Sequence, residues 1–175
     1  MQQIIEPYDD KKPLVPYVRG CKFTAKQHGH PPPQRQSDNA CTNTLAETKR
    51  LQKLHSIERC LQHPPLQGSY GSSRIDLYIQ DTLHVGDGLN AQVVVVEVLM
   101  ADPSLSVEGQ SRGDHVVAKL YDPLYMDDDD LYINPFRASD QDYIHEATIY
   151  EALPDLQGSA IPRYYGSYTM ETNPC

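Results

Sequence analysis

The chain has 175 residues and a net charge of −9, a length that suits one domain with an extension better than several domains. Its charge is unevenly spread: residues 1–75 hold 11 Lys/Arg against 6 Asp/Glu, and residues 76–175 hold 4 against 18. The acidic half argues against nucleic acid as its main partner, because phosphate backbones need clustered Lys and Arg, and the basic half is too dilute and too poor in aromatics to supply such a surface.

Four cysteines, Cys21, Cys41, Cys60 and Cys175, are widely spaced without a C-x-x-C pair, so neither a zinc site nor a dense disulfide framework is expected. The apolar run "VVVVEVLM" is far too short to span a bilayer. The opening "MQQIIEPYDDKK" has acids where a signal peptide needs an apolar stretch. An intracellular chain, cytoplasmic or nuclear, with reduced thiols and no membrane contact is the expectation.

In chain order, residues 1–43 read as a disordered leader: "KQHGHPPPQRQSDNACTN" contains three consecutive prolines and little to bury. His28 and His30 flank a glycine but lack further ligands at metal spacing, so no metal is expected there. Thr44 with Glu47 three residues on has the form of a capping box. Leu51, Leu54, Ile57 and Leu61 then recur at helical spacing until Pro64-Pro65, which predicts one amphipathic helix over 44–62. Its stripe can dock on its own domain or on a protein partner. The helix and the loop "PPLQGSYGSSR" make up a segment 44–74, with a domain boundary in the loop and a folded domain over 75–175.

From Ile75 the period becomes two, with Ile75, Leu77 and Ile79 alternating with polar neighbours, a half-buried strand. "GDGLN" breaks it, "AQVVVVEVLM" is a second, β-branched strand, and "HVVAKLYD" is a third after a long polar turn. No helix separates these strands, so they should form an antiparallel meander. The run Asp127–Asp130 reads as solvated. "SDQDYIHEATIYEALPDL" predicts a second helix, capped by Ser139 or Asp140, with Ile144, Ala147, Tyr150 and Leu153 on one face and Pro154 as its stop. "IPRYYGSYTM" is a fourth strand. The fold class is α+β: a small antiparallel sheet with one packed helix, behind a largely unstructured leader containing one further helix.

Lys119 stands in the middle of an apolar strand, where an ammonium costs several kcal/mol unless an anion meets it or its stem snorkels to water. A carboxylate on the following helix, Glu146 rather than Glu151, is the expected partner. In this order and spacing, "GDGLNAQVVVVEV", "VVAKLY", "HEATIYEAL" and "IPRYYGSY" resemble the N-terminal lobe of protein kinases, especially the divergent kinase-like proteins of fungi. The resemblance covers about residues 77–170. It implies that Lys119 holds the α- and β-phosphates of ATP and pairs with Glu146, that Gly86 and Gly88 lie over the phosphates, that Val93 covers the adenine, and that Ala118 lines its pocket. Ala91 stands where the third loop glycine belongs. No H-R-D-type catalytic loop and no D-F-G appears, and the strand that leads to the adenine-binding hinge is missing too. The resemblance therefore implies a truncated kinase-like lobe with weak or no ATP binding and no phosphotransfer of its own, magnesium belonging to a complete relative. The alternative is a non-catalytic interaction module whose helix 44–62 binds a protein.

Overall fold

The computed structural model describes residues 12–32, 41–101, 113–127 and 132–171. Five strands, β1 Lys22–Gly29, β2 Ser69–His84, β3 Gln92–Ala101, β4 His115–Leu120 and β5 Tyr168–Met170, form one curled sheet in the order β4-β3-β2-β1-β5. Every neighbouring pair is antiparallel. Alternate residues of each strand point to one face, so Ile75, Leu77 and Ile79 of β2 meet Val94, Val96 and Val98 of β3 in the core, with the three valines fully buried. Val116, Ala118 and Leu120 of β4 pack against that core from its edge.

The sequence expectation of an unstructured leader over 1–43 is corrected by β1. Phe23 stands opposite Leu77 and Ala25 opposite Ile75, and both are buried. Before β1, residues 12–21 cross the core with Tyr17 and Cys21 buried, and Ile79 exchanges backbone hydrogen bonds with Gly20 and Cys21 at 2.9 and 2.8 Å. Backbone pairing plus an aromatic anchor worth about 1.5–3 kcal/mol of burial outweighs the weak strand signal. The sheet thus draws strands from both sides of the boundary expected before residue 75, and β2 itself begins six residues earlier, at Ser69.

The single helix expected over 44–62 is two: α1 Leu45–Leu51 and α2 Ser56–Gln62. Thr44 caps α1 in the capping box read from the sequence. The Glu58 carboxylate accepts from the His55 amide at 2.9 Å and restarts the helix after the break. Leu51 is buried, whereas Ile57 and Leu61 are exposed.

Helix α3 runs Pro135–Ala152. Its cap is Asn134, whose side-chain oxygen accepts from the Phe136 and Arg137 amides at 3.1 Å each, not Ser139 or Asp140, which lie inside the helix. It stops before Pro154, where a short 3-10 turn, Pro154–Leu156, begins. Its buried residues include Phe136, Ser139 and Ala147. Phe136 stacks on His63, Arg137 pairs with Glu47, and the Ser139 hydroxyl meets the Met126 sulfur at 3.5 Å. Further along, Glu146 reaches β4 and Tyr143 reaches His28 of β1. The helix therefore ties the β4 edge of the sheet to its other side.

Of the expected fourth strand, Tyr168–Met170 form β5, whose partner is β1, through Ala25, Lys26 and Gln27, while Ile161 makes an isolated bridge to Gln157. The long turn after β3 and Asp128–Asp130 lie outside the described residues. Cys41 and Cys60 are not in a disulfide, while Cys21 is disulfide-bonded, against the expectation of reduced thiols throughout. Among the described residues no helix is long and apolar enough to cross a membrane.

Candidate functional site

Period two decides which β4 side chains can share a site. Lys119 points away from Val116, Ala118 and Leu120 and stands opposite Val93 of β3. Lys119 and Val93 line a cavity of about 650 Å³ together with Gly88, Tyr121 and Glu146. Ala118 is not among its walls; it packs on the core, because consecutive strand residues face opposite sides. Gly86 does not line the cavity either.

Glu146 Oε2 accepts from both the Lys119 ammonium and the Tyr121 hydroxyl. The Lys119 nitrogen also lies 5.0 Å from the centre of the Tyr121 ring, a cation–π arrangement. Burial and, secondarily, the hydrogen bond and negative charge of Glu146 push the Tyr121 hydroxyl above its ordinary range, so it serves as a neutral donor. The Lys119 and Glu146 side chains are 42% and 34% exposed. A pair this wet contributes about 0–1 kcal/mol to stability, so the fold does not depend on it. An ammonium has three donors, and further ones remain for a ligand in the cavity. Glu151 lies elsewhere, 3.4 Å from His30 Nε2.

The loop between β2 and β3 closes one side. Gly88 adopts φ 78° and nothing stands where a Cβ would be added; the backbone turn, not crowding, selects glycine here. Gln92, fully buried, accepts from the Gly86 amide at 2.8 Å and donates to the Gly86 carbonyl at 2.7 Å. The Tyr125 carbonyl accepts from the Gly88 and Leu89 amides at 2.9 and 3.2 Å.

Sequence reasoning missed Tyr121, His84, Asp142 and His145 among the cavity walls. Spacing could have found three of them. Tyr121 follows Lys119 by two strand positions, and Asp142, His145, Glu146 and Ile149 recur at helical spacing. Among the described residues no three His, Cys, Asp or Glu side chains converge as a metal ion needs. No family model matches the chain, and no curated protein or solved structure matches it.

Proposed function

We propose that this chain carries the nucleotide-phosphate-binding part of a protein-kinase-like N-terminal lobe, without phosphotransfer by these residues alone. The contact of Lys119 with Glu146, made over a cavity that also takes in Gly88 and Val93, supports the reading. In it Lys119 meets the α- and β-phosphates of ATP, Glu146 holds the ammonium in place, and Val93 covers the base.

Binding is weak in this reading. Asp142 and Glu146 line the same cavity as Lys119, so two carboxylates face one ammonium and oppose a polyphosphate. Transfer to a hydroxyl requires metal neutralisation of the phosphates and a carboxylate at the nucleophile. The 175 residues contain neither D-F-G nor H-R-D, and positioning and charge stabilisation make up nearly all of this catalysis.

Thermal-shift titration with ATP, ADP and adenosine tests the reading. A ligand at 100 times its dissociation constant stabilises by about 2.7 kcal/mol. ATP and ADP at millimolar concentration should raise the melting temperature and adenosine should not, because the recognised groups are phosphates. Equal shifts with adenosine would refute phosphate recognition.

The second reading, an interaction module working through residues 44–62, draws on Leu45, Ile57 and Leu61, which are 71%, 48% and 82% exposed. Its mark is partner binding that is lost in Leu61→Asp and unaffected by Lys119→Met.

A further inference from the structure

We infer that the segment Lys12–Cys21 is a strap that holds the loop over the cavity closed, with its amides turned to the protein instead of to a ligand. The inference rests on the nucleotide reading for its consequence and on hydrogen bonds alone for its existence.

Each buried or half-buried N–H needs an acceptor. The loop could offer a phosphate the N–H groups of Gly86, Gly88 and Leu89. The first is taken by Gln92, and the other two share the Tyr125 carbonyl. None of the three is free for an anion in this arrangement. Lys119, the cationic group of the cavity, already bonds to Glu146. The loop amides that would meet phosphates are all held by the chain itself, and Glu146 takes one of the three ammonium donors of Lys119.

Tyr125 is the pivot, and the strap fixes it. The Tyr125 hydroxyl donates to the Leu14 carbonyl at 3.2 Å, and its ring meets that of Tyr17 edge-on, with centroids 6.3 Å apart. The Tyr17 hydroxyl donates to Asp122 at 2.6 Å, three residues before Tyr125. Lys12 joins the strap to both neighbours: its ammonium donates to the Asp87 carboxylate of the loop at 2.9 Å and to the Met126 carbonyl at 3.1 Å. The Lys12 side chain is only 13% exposed. Strap, turn and loop thus form three layers. Displacing the strap frees Tyr125, and a freed Tyr125 releases the Gly88 and Leu89 amides toward the cavity.

Lys12→Met removes the bridge from the strap side, Asp87→Ala removes it from the exposed loop side, and Tyr17→Phe removes the Asp122 bond while keeping the ring. Amide hydrogen exchange at Gly88 and Leu89 reads the latch directly. The expected result is exchange faster by about tenfold in Lys12→Met and in Asp87→Ala, as the loss of one charge-assisted hydrogen bond implies. Protection at Val94, Val96 and Val98 should stay unchanged and certify the fold. With Lys12→Met/Tyr17→Phe, ATP should bind several-fold tighter than to the unaltered chain. Unchanged exchange at Gly88 and Leu89 in all these variants, with the core protected, overturns the strap. Faster exchange with no ATP binding to any variant leaves the strap standing and sinks the nucleotide reading.

Discussion

Gln92 shows how much one buried side chain can decide. Its amide joins both backbone groups of Gly86, and it is as buried as the valines beside it. Replacing it by leucine keeps the volume and strands both groups, each costing about 1–3 kcal/mol when left without a partner. Gln92→Leu should therefore lower unfolding free energy by about 2 kcal/mol in urea titration, and a neutral result would mean that water replaces both bonds. His28 is a second such residue. It is 5% exposed, its Nδ1 meets the Tyr143 hydroxyl at 3.1 Å, and its Nε2 finds no hydrogen-bond partner among the described residues. Burial, aided by the charge of nearby His30 and opposed by Asp140, lowers its pKa from the ordinary 6.5. The unfolded chain then takes up a proton near pH 6.5 before the folded one does, so stability from this group falls as pH drops below that value. Melting temperatures at pH 7.5 and 5.5 should diverge for the unaltered chain and converge for His28→Gln; an equal drop in both would assign the effect to other groups. At this scale the sequence made Lys119 and Glu146 legible, since an ammonium in an apolar strand demands an anion. Ala118 packs on the core and is not among the walls of the cavity, and His28 could not be read as buried while β1 went unseen.

Elements were legible where two signals agreed and lost where one stood alone. The capping box at Thr44 and the alternation from Ile75 each gave a clear local signal, and a helix starts at the one and a strand runs through the other, although the helix stops at Leu51. β1 has only Phe23 and Ala25 as apolar alternates between lysines, followed closely by three prolines, and its strand character comes from pairing with β2. The start of α3 had a better signal than the one used: Asn134-Pro135 is a capping side chain followed by the imino acid suited to the first helical position. Asn134 also donates to Asn43 at 3.0 Å, linking α3 to the chain before α1. Asn134→Ala should cost about 1 kcal/mol by chemical denaturation, the usual worth of a cap, and a loss below a few tenths would show that Asn43 and water hold the helix end. Of the inward stripe of α3 the apolar pattern found Ala147 and passed over Phe136, Ser139 and Tyr143, because that face mixes aromatic, polar and small residues.

For the whole molecule, Tyr17 to Ala25, within the segment expected to be a leader, contribute to the core. Tyr17, Cys21, Phe23 and Ala25 are buried in the same cluster as Ile75 and Val96. A chain beginning at residue 44 loses all four together with the strand between β2 and β5, and removal of one buried aromatic alone costs about 3–5 kcal/mol, comparable to the whole stability of a small domain. Such a chain should show no dispersed amide spectrum in NMR, and a folded spectrum would restore residues 1–43 to the status of a leader. The α+β class and the antiparallel meander of β2, β3 and β4 were legible because their connections hold no helix. The full sheet order was not, since it depends on two short strands, β1 and β5, that meet across most of the chain.

The assignment of function stands on the ammonium of Lys119 acting as a phosphate ligand, and the most direct measurement of it is an ATP titration of the unaltered chain and of Lys119→Met, followed by melting temperature. The pair is half-exposed, so both forms should melt within a few degrees of each other without ligand. Millimolar ATP should then raise the melting temperature of the unaltered chain and leave that of Lys119→Met where it was. Equal shifts in the two, or no shift in the unaltered chain, would contradict the assignment.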